Sequence, residues 1–256
     1  MSLPLPSAVV KEIPASASPN LSLKFYKWAD IYNHEIKKLE AEKKAEFLNS
    51  LSTLSKKPAY KKAFAIRMRM QEQMGGLVFN LTTATRLILG MGYEHPLENG
   101  FLFDWTTGLP IIPGSSLKGT ARDLAQKRGN LPDEALFNVI FGNEKKKTAG
   151  DVIFMPAYPF DLDDNSAFLD QDVMTPHYGD YYANPQTVPP ADWHSPNPIP
   201  FLTVPKGIKY RFRLINRNDW HDVSSPVITQ ARDILSATLK EEGVGAKTGV
   251  FYGYFE

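Results

Sequence analysis

The amino-acid sequence predicts an α+β protein in which two helices pack on one antiparallel sheet. From Leu77 onward the chain becomes rich in β-branched residues that alternate with polar ones, a pattern typical of strands. Two stretches with helical periodicity, residues 115–128 and 226–242, each begin at a capping signal and end close to a glycine. Along the chain the segments follow the order strand, helix, strand, strand, helix, strand.

Length and composition are those of a globular chain with a full core. The 256 residues are 43% hydrophobic and 22% charged, which is ordinary for a soluble domain. Cysteine is absent, so the sequence excludes a disulfide framework, a thiolate metal site and a cysteine nucleophile. We expect a cytoplasmic protein without a membrane span, because no basic segment precedes an apolar stretch at the N-terminus and no apolar run approaches about 18 residues.

The first 76 residues are predicted to be an addition to the core. Residues 1–22 are rich in Pro, Ser and Ala without periodicity, so we expect a flexible arm there. Residues 23–76 are predicted to form a basic helical extension, since residues 24–74 carry twelve Lys and Arg against six Asp and Glu. The aromatic stripe of this extension suggests a face that docks on a partner.

Two helices account for the extension. Apolar residues from Phe25 to Leu39 share one stripe, and residues 47–51 extend it. Pro58 suits the first turn of the second helix, which the glycine pair Gly75 and Gly76 should end.

The core elements follow from periodicity and turn signals. The predicted strands are residues 77–89, 151–157, 207–215 and 250–255, with a hairpin at 101–105 and 109–112, and the predicted helices are 115–128, 136–141 and 226–242. Right-handed crossovers turn the order βαββαβ into a four-stranded sheet with both helices on one face, the ferredoxin-like (RRM-like) arrangement. Residues 158–205 are predicted to be a long proline-rich insertion in this domain, which spans residues 77–256.

The turn that opens the first core helix is predicted to bind an anion. Gly114 permits a bend, and Ser115 or Ser116 is a suitable N-cap whose hydroxyl lies beside free backbone N–H groups. Lys118 and Arg122 lie four residues apart on one helix face. Backbone N–H groups at a helix start, hydroxyls and two cations together suit a phosphate.

A second glycine-marked loop carries a cation near the C-terminus. Gly243, Gly245 and Lys247 lie between the last predicted helix and the last predicted strand. Two such loops predict a divided surface that binds a polymer backbone. Lys209, Arg211 and Arg213 alternate along a predicted strand, so the open sheet face is a further candidate platform for nucleic acid.

Several short motifs follow one another in a fixed order. They are PGSSLKGTAR at residues 113–122, FG at 141–142, AGDVIF at 149–154 and GVGAKTG at 243–249. This series resembles the signature of RAMP proteins, the RNA-binding subunits of type III CRISPR effectors. The middle of the chain, with DVMTPHY at 172–178, YY at 181–182 and PNPIPFL at 196–202, resembles the subunit-6 family of the type III-B Cmr complex.

The resemblance implies a non-catalytic RNA scaffold without a cofactor. It implies that the chain holds the 3′ part of a CRISPR RNA with its target RNA, beside the backbone RAMP subunit, the small helical subunit and a neighbouring RAMP subunit. The implied phosphate contacts are Gly114, Ser115, Ser116, Lys118, Arg122, Gly243, Gly245 and Lys247. The insertion has no Lys or Arg from residue 148 to residue 205, so we expect it to contact neighbouring subunits or to lie between guide and target strands.

Two enzymatic alternatives are weighed against this expectation. Asp172 and His177 could supply a general base or metal ligands to an endoribonuclease, although a single sequence shows no convergence of catalytic groups. Ser115-x-x-Lys118, Ser195-x-Asn197 and the KTG at 247–249 reproduce the three short motifs of serine β-lactamases. Their context argues against that class, since the second motif lies among prolines and seven residues follow the third.

Overall fold

The computed structural model describes residues 20–29, 41–56, 58–128, 134–162, 166–191, 193 and 195–256. The predicted arm lies outside these residues except for its last three. Within the described part the α-helices are α1 Leu21–Tyr26, α2 Ala41–Ser55, α3 Pro58–Glu72, α4 Gly114–Arg128, α5 Glu134–Phe141, α6 Gly179–Ala183 and α7 Pro226–Glu241. The strands are β1 Leu77–Thr82, β2 Gly142–Asn143, β3 Thr148–Ala149, β4 Val152–Phe154, β5 Tyr158–Pro159, β6 Asp170–Met174, β7 Ile199–Thr203 and β8 Lys209–Asn216. The α+β class is therefore confirmed.

The main sheet is built around β8. Strand β1 pairs antiparallel with β8 along its whole length, and β4 and β5 pair with the other edge of β8. The last residue of the chain extends the sheet beyond β1, since Thr82 and Glu256 exchange backbone hydrogen bonds of 2.9 and 2.8 Å. The spatial order is therefore chain end, β1, β8, β4.

Helices α4 and α7 pack against each other and against one face of this sheet. Each buries a stripe at helical spacing: Leu117, Ala121, Leu124 and Ala125 on α4, and Ile228, Ala231, Leu235 and Leu239 on α7. From β8 the side chains of Tyr210, Phe212 and Leu214 are fully buried. Both predicted core helices are confirmed to within one residue at each end.

Two predicted strands differ from the structure. The strand predicted at 77–89 ends at Thr82, which pairs with the first residue of β8. Beyond it Thr83 bonds to Gly207 and Ile208, and Leu87 makes an isolated bridge to Val204, so no continuous ladder follows. The strand predicted at 250–255 is wrong: Thr248–Val250 is a 3₁₀ turn, and of this stretch Phe255 makes an isolated bridge to Thr83. Phe251 and Gly253 adopt φ of 66° and 80°, which an extended strand does not contain.

The first residues of the insertion belong to the main sheet, and the rest forms a separate hairpin. Tyr158 and Pro159 pair with β8. Farther on, β6 and β7 form an antiparallel hairpin from Asp170 opposite Thr203 to Met174 opposite Ile199. The segment between these strands holds α6 and is mostly exposed where it is described.

The predicted basic platform on β8 is partly covered, and its cations have partners within the protein. Arg213 is buried and its guanidinium donates to the carbonyl of Gly75. Arg211 lies over the ring of Phe160, 4.6 Å from its centroid, and Lys209 pairs with Asp161 at 2.5 Å. The extension, through Gly75 and Met68, and the insertion, through Phe160 and Asp161, therefore engage cations that the alternation had suggested were free.

A carboxylate joins the helical extension to the core. Asp104 is 7% exposed, and its Oδ2 accepts from Arg67 at 3.0 Å and from the Tyr158 hydroxyl at 2.9 Å. Its Oδ1 accepts from the backbone of Thr106 and Thr107 at 2.8 and 3.0 Å. Burial alone would raise the pKa of Asp104, but these hydrogen bonds and the Arg67 charge outweigh burial and lower it.

A half-buried histidine holds α1 against the core. The His95 ring is stacked on Phe25 at 4.0 Å, its Nε2 lies 3.1 Å from the Phe25 carbonyl, and its Nδ1 accepts from the Leu97 N–H at 3.1 Å. This arrangement fits the neutral imidazole. Burial lowers the pKa of His95 to about 4, while the Phe25 carbonyl opposes that shift.

No helix in the described part of the chain has both the length and the apolar character that a membrane crossing requires.

Two glycines on α4 provide a matched pair for a stability test. A Cβ at position 114 would lie 1.9 Å from the Phe154 carbonyl oxygen, whereas a Cβ at position 119 meets nothing within 4 Å. We expect Gly114→Ala to lower the free energy of unfolding by about 1–3 kcal/mol, since backbone must move. Gly119→Ala should raise it by about 0.5–1 kcal/mol through helix propensity. Urea unfolding measures both, and equal effects would contradict the close approach at Gly114.

Acid should weaken the docking of α1. Because the pKa of His95 is about 4 in the folded protein and near 6.5 in an unfolded chain, the unfolded state binds more protons between these values. The stabilisation is therefore complete above about pH 6.5 and is lost as the pH falls toward 4. We expect His95→Gln to remove this part of the pH dependence, measured as the difference in unfolding free energy between the two proteins. Parallel pH profiles would contradict the assignment.

Candidate nucleic-acid interface

The first predicted loop starts α4 directly beneath β4. The helix begins at Gly114, so Ser115 and Ser116 occupy its first turn and are exposed; the prediction that one of them is the N-cap is wrong. The contact with the Phe154 carbonyl leaves no room for a side chain at position 114. The free backbone N–H groups of the first turn therefore stay at a fixed place on the sheet edge.

The second predicted loop is held against the segment that follows β1. Gly243 and Gly245 have φ of 72° and 99°, and a Cβ at position 245 would lie 2.3 Å from the Ile88 carbonyl oxygen. The N–H of Ala246 donates to that same carbonyl at 3.0 Å. Lys247 follows in the left-handed region, with φ of 59°, and is exposed.

Both loops open on one cavity of about 540 Å³. Ser116, Gly119 and Thr120 line it from α4, and Val244 to Ala246 line it from the glycine loop. Residues 89–93 close a third side, with the exposed ring of Tyr93. The structure thus brings together the helix start and the glycine loop, although more than a hundred residues separate them in the sequence.

The cations of α4 point to the other side of the helix. Lys118 is about 200° and Arg122 about 240° around the helix from Ser116, so both face away from it. Arg122 pairs with Glu144 at 2.7 Å and lies over Phe137, 5.8 Å from the ring centroid. A second cavity of about 420 Å³ lies here, between α4, α5 and the β2–β3 turn.

Lys118 belongs to a cluster of cations on that side. It is half-buried, and its pKa is lowered by burial first and then by the nearby charges of Arg217 and Arg122. The exposed Lys145 lines the adjacent cavity at the start of a run of three lysines. An anion bound here would relieve the mutual repulsion of the cluster.

The predicted contact residues therefore divide into two groups. Ser116 and Gly245 line the first cavity, Lys247 continues that loop, and Lys118 and Arg122 lie on the opposite face of α4. No pattern in the sequence pointed to Tyr93 or Arg217. Arg217 follows β8 in an Asn-Arg-Asn turn, and no local pattern connects it with Lys118.

Asp172, proposed above as a general base, is engaged in structural contacts. Its Oδ2 accepts from Arg86 Nη1 at 3.0 Å and from the Tyr252 hydroxyl at 2.9 Å. Arg86 also pairs with Asp170 at 3.0 Å. The other candidate, His177, is exposed in the segment between β6 and β7. Among the described residues no group of His, Asp and Glu is arranged to hold a metal ion.

Comparisons with known proteins agree with one another. The family model of the RAMP superfamily matches residues 80–256. The Cmr6 subunit of the CRISPR system of Pyrococcus furiosus is 28% identical over an alignment of 249 residues, and the match covers 76% of this chain and 72% of that protein. Cmr6 of Saccharolobus solfataricus is 31% identical over 182 residues, which cover 70% of this chain and 56% of that protein.

A solved structure extends the likeness to three dimensions. A chain of the type III-B Cmr-beta complex bound to cognate target RNA matches with a TM-score of 0.58 at 26% identity, over 84% of this chain and 72% of that one. The chain spans little more than half the length of the Saccharolobus relative. Because the family model matches well over half of the sequence, this chain belongs to the RAMP superfamily, and it is similar to Cmr6 subunits.

Proposed function

We propose that this chain is a non-catalytic RNA-binding scaffold subunit of a type III-B (Cmr) effector that acts in the cytoplasm in antiviral defence. It holds the 3′ part of the CRISPR RNA together with the target RNA through contacts to phosphate and ribose. The observation that carries this proposal is the shared cavity of the α4 start and the glycine loop, with cations beside it on the glycine loop and on the far face of α4. The Cmr-beta complex with bound target RNA supports RNA as the polymer.

The fold supports a ferredoxin-like core for this role. The spatial order of chain end, β1, β8 and β4, with α4 and α7 on one face, is the order that a βαββαβ chain adopts with right-handed crossovers. Because the loops at the start of α4 and after α7 line the same cavity, one strand of RNA can contact both.

The partners we propose are the other subunits of the complex. The backbone RAMP subunit, the small helical subunit and a neighbouring RAMP subunit would contact the helical extension and the insertion. The exposed segment between β6 and β7 carries no Lys or Arg, and it presents Tyr182 at 74% exposure. Acidic and aromatic residues without cations suit a protein surface better than a phosphate backbone.

The absence of catalysis is the remaining part of the proposal. Asp172 accepts from Arg86 and Tyr252, so its Oδ2 is occupied by structural hydrogen bonds. His177 is exposed, as expected of a side chain in a solvated loop. Target cleavage would then belong to another subunit.

The lysines on the two loops provide the direct test. We expect Lys118→Ala combined with Lys247→Ala to weaken binding of the full chain to single-stranded RNA of guide length, with little dependence on sequence. Loss of two phosphate contacts should reduce the slope of log affinity against log salt by about 1.4. Affinities from a salt titration measure both quantities.

The control keeps the change in charge and moves it elsewhere. Lys206 and Lys240 are exposed and lie outside both cavities, so Lys206→Ala with Lys240→Ala should leave the salt slope near that of the parent. Equal losses in the two double variants would show that net charge, and not these loops, governs binding. Unchanged affinity in the first variant would remove the loops from the interface.

Catalysis by the hairpin is tested in the assembled complex. We expect His177→Ala and Asp172→Asn to leave the positions and the rate of target RNA cleavage unchanged when RNA is saturating, because neither side chain acts on the scissile bond. Gel analysis of labelled target RNA measures the products. Loss of one cleavage position in either variant would establish the endoribonuclease alternative.

A further inference from the structure

The tip of the glycine loop carries two of the most exposed apolar side chains in the described part of the protein. Val250 is 61% exposed and Phe251 is 76% exposed. They stand on the 3₁₀ turn Thr248–Val250 and the residue that follows it. Most phenylalanines of the core domain are buried, so this one is not needed by the fold and is available to a ligand.

The loop that presents Phe251 is anchored on both sides. At its base the N–H of Val244 donates to the Gly253 carbonyl at 2.9 Å, and the N–H of Gly253 donates to the Arg86 carbonyl at 2.7 Å. The Tyr252 hydroxyl reaches Asp172, and the Tyr254 N–H donates to the Thr85 hydroxyl at 3.1 Å. The side chain of Phe251 is thus held outward by a rigid frame, so binding requires little ordering.

The backbone of Phe251 is unusual for its residue type. Its φ is 66°, in the left-handed region that bulky side chains rarely occupy. Lys247 lies in the same region, with φ of 59°, at the other end of the 3₁₀ turn. The N–H of Phe251 donates to the Thr248 carbonyl at 3.0 Å, which closes the turn. Strained backbone of this kind is concentrated at binding and catalytic sites.

Cation and aromatic ring therefore stand on one short turn. Lys247 is exposed at its start and Phe251 at its end, with the Tyr254 ring 5.9 Å from the Phe251 ring. A nucleotide offers the complementary pair of groups, a phosphate and a flat base. The adjoining cavity beside Gly245 has room for further parts of the same strand.

We propose that the Phe251 ring stacks on a base of the single-stranded RNA whose phosphate contacts Lys247. This inference rests on the proposed function and adds to it a base contact on an exposed aromatic. Stacking on a ring face tolerates any base, so the contact adds affinity without adding sequence preference. It also places an unpaired base at this loop, since a base inside a duplex has no free face.

The test uses the full chain and a labelled single-stranded RNA of guide length. We expect Phe251→Ala to weaken RNA binding about 5- to 100-fold, the range for loss of one stacked base, with the salt slope unchanged. Phe251→Trp should keep the affinity, and its added fluorescence should be quenched on RNA binding. Inorganic polyphosphate, a polyanion without bases, should bind the parent and Phe251→Ala equally.

The control removes an exposed aromatic at the far end of β1. Trp220 is 48% exposed, and its carbonyl accepts from the Gly76 N–H at 2.8 Å just before β1 begins. Trp220→Ala should leave RNA affinity unchanged.

Each outcome decides between the two levels of the proposal. If the unmodified protein binds RNA and Phe251→Ala binds it equally tightly, the stacking inference is overturned and the scaffold function still stands. An equal loss toward RNA and polyphosphate would also overturn it, since the effect would then lie in the loop backbone. Failure of the parent to bind RNA at low salt would overturn both. Loss of a partner subunit from the complex, with RNA affinity unchanged, would identify Phe251 as a protein contact and refute stacking.

Discussion

Backbone segments in this protein approach each other more closely than a side chain permits, and the candidate interface depends on that approach. Gly114 lies against the Phe154 carbonyl and Gly245 against the Ile88 carbonyl, at distances that a Cβ would violate. Gly253 makes a similar contact with Val244. With these contacts in place, residues of the helix start and of the glycine loop line one cavity. Glycine is required at these positions because it has no Cβ to keep the two backbone segments apart.

The helical extension is attached by a small number of polar contacts through apolar surroundings. Asp104 is nearly buried and receives hydrogen bonds from Arg67, Tyr158 and its own turn. Each group satisfies a charge that would otherwise be costly to bury. One carboxylate therefore fixes the position of α3 relative to β5 and to the turn after Phe103. The same docking covers Arg213 on one face of the sheet, while α4 and α7 pack on the other face.

Elements with strong local signals were predictable from the sequence. The bounds of α4 and α7 followed from glycine, proline and the apolar period, and these positions bury the expected side chains. The stretch from Val250 to Phe255 was misread because its aromatic residues alternate like those of a strand. Its conformation contains left-handed backbone at Phe251 and Gly253, and tertiary hydrogen bonds such as that from Gly253 to Arg86 help to hold it.

The candidate site shows the same division. The sequence suggested that the two glycine loops form one surface, and in the structure residues of both loops line one cavity. The separation of Ser116 from Lys118 follows from helix geometry alone and could have been anticipated. Arg217 and Tyr93 could not, because tertiary packing brings them beside the loops. The cover over Arg211 and Arg213 was likewise invisible, since alternation along a strand does not tell what packs on it.

The contact of Asp172 with Arg86 and Tyr252 ties the β6–β7 hairpin to the glycine loop. A neighbouring molecule that binds the far end of this hairpin can therefore act on the backbone that supports the glycine loop. Thermodynamic linkage then applies. If binding at the hairpin changes the affinity of the loop for its ligand by some factor, the ligand changes the affinity of the hairpin for its partner by the same factor. In the proposed function, binding of a neighbouring subunit to the hairpin and binding of RNA to the loop would then be linked through the contacts of Asp170 and Asp172.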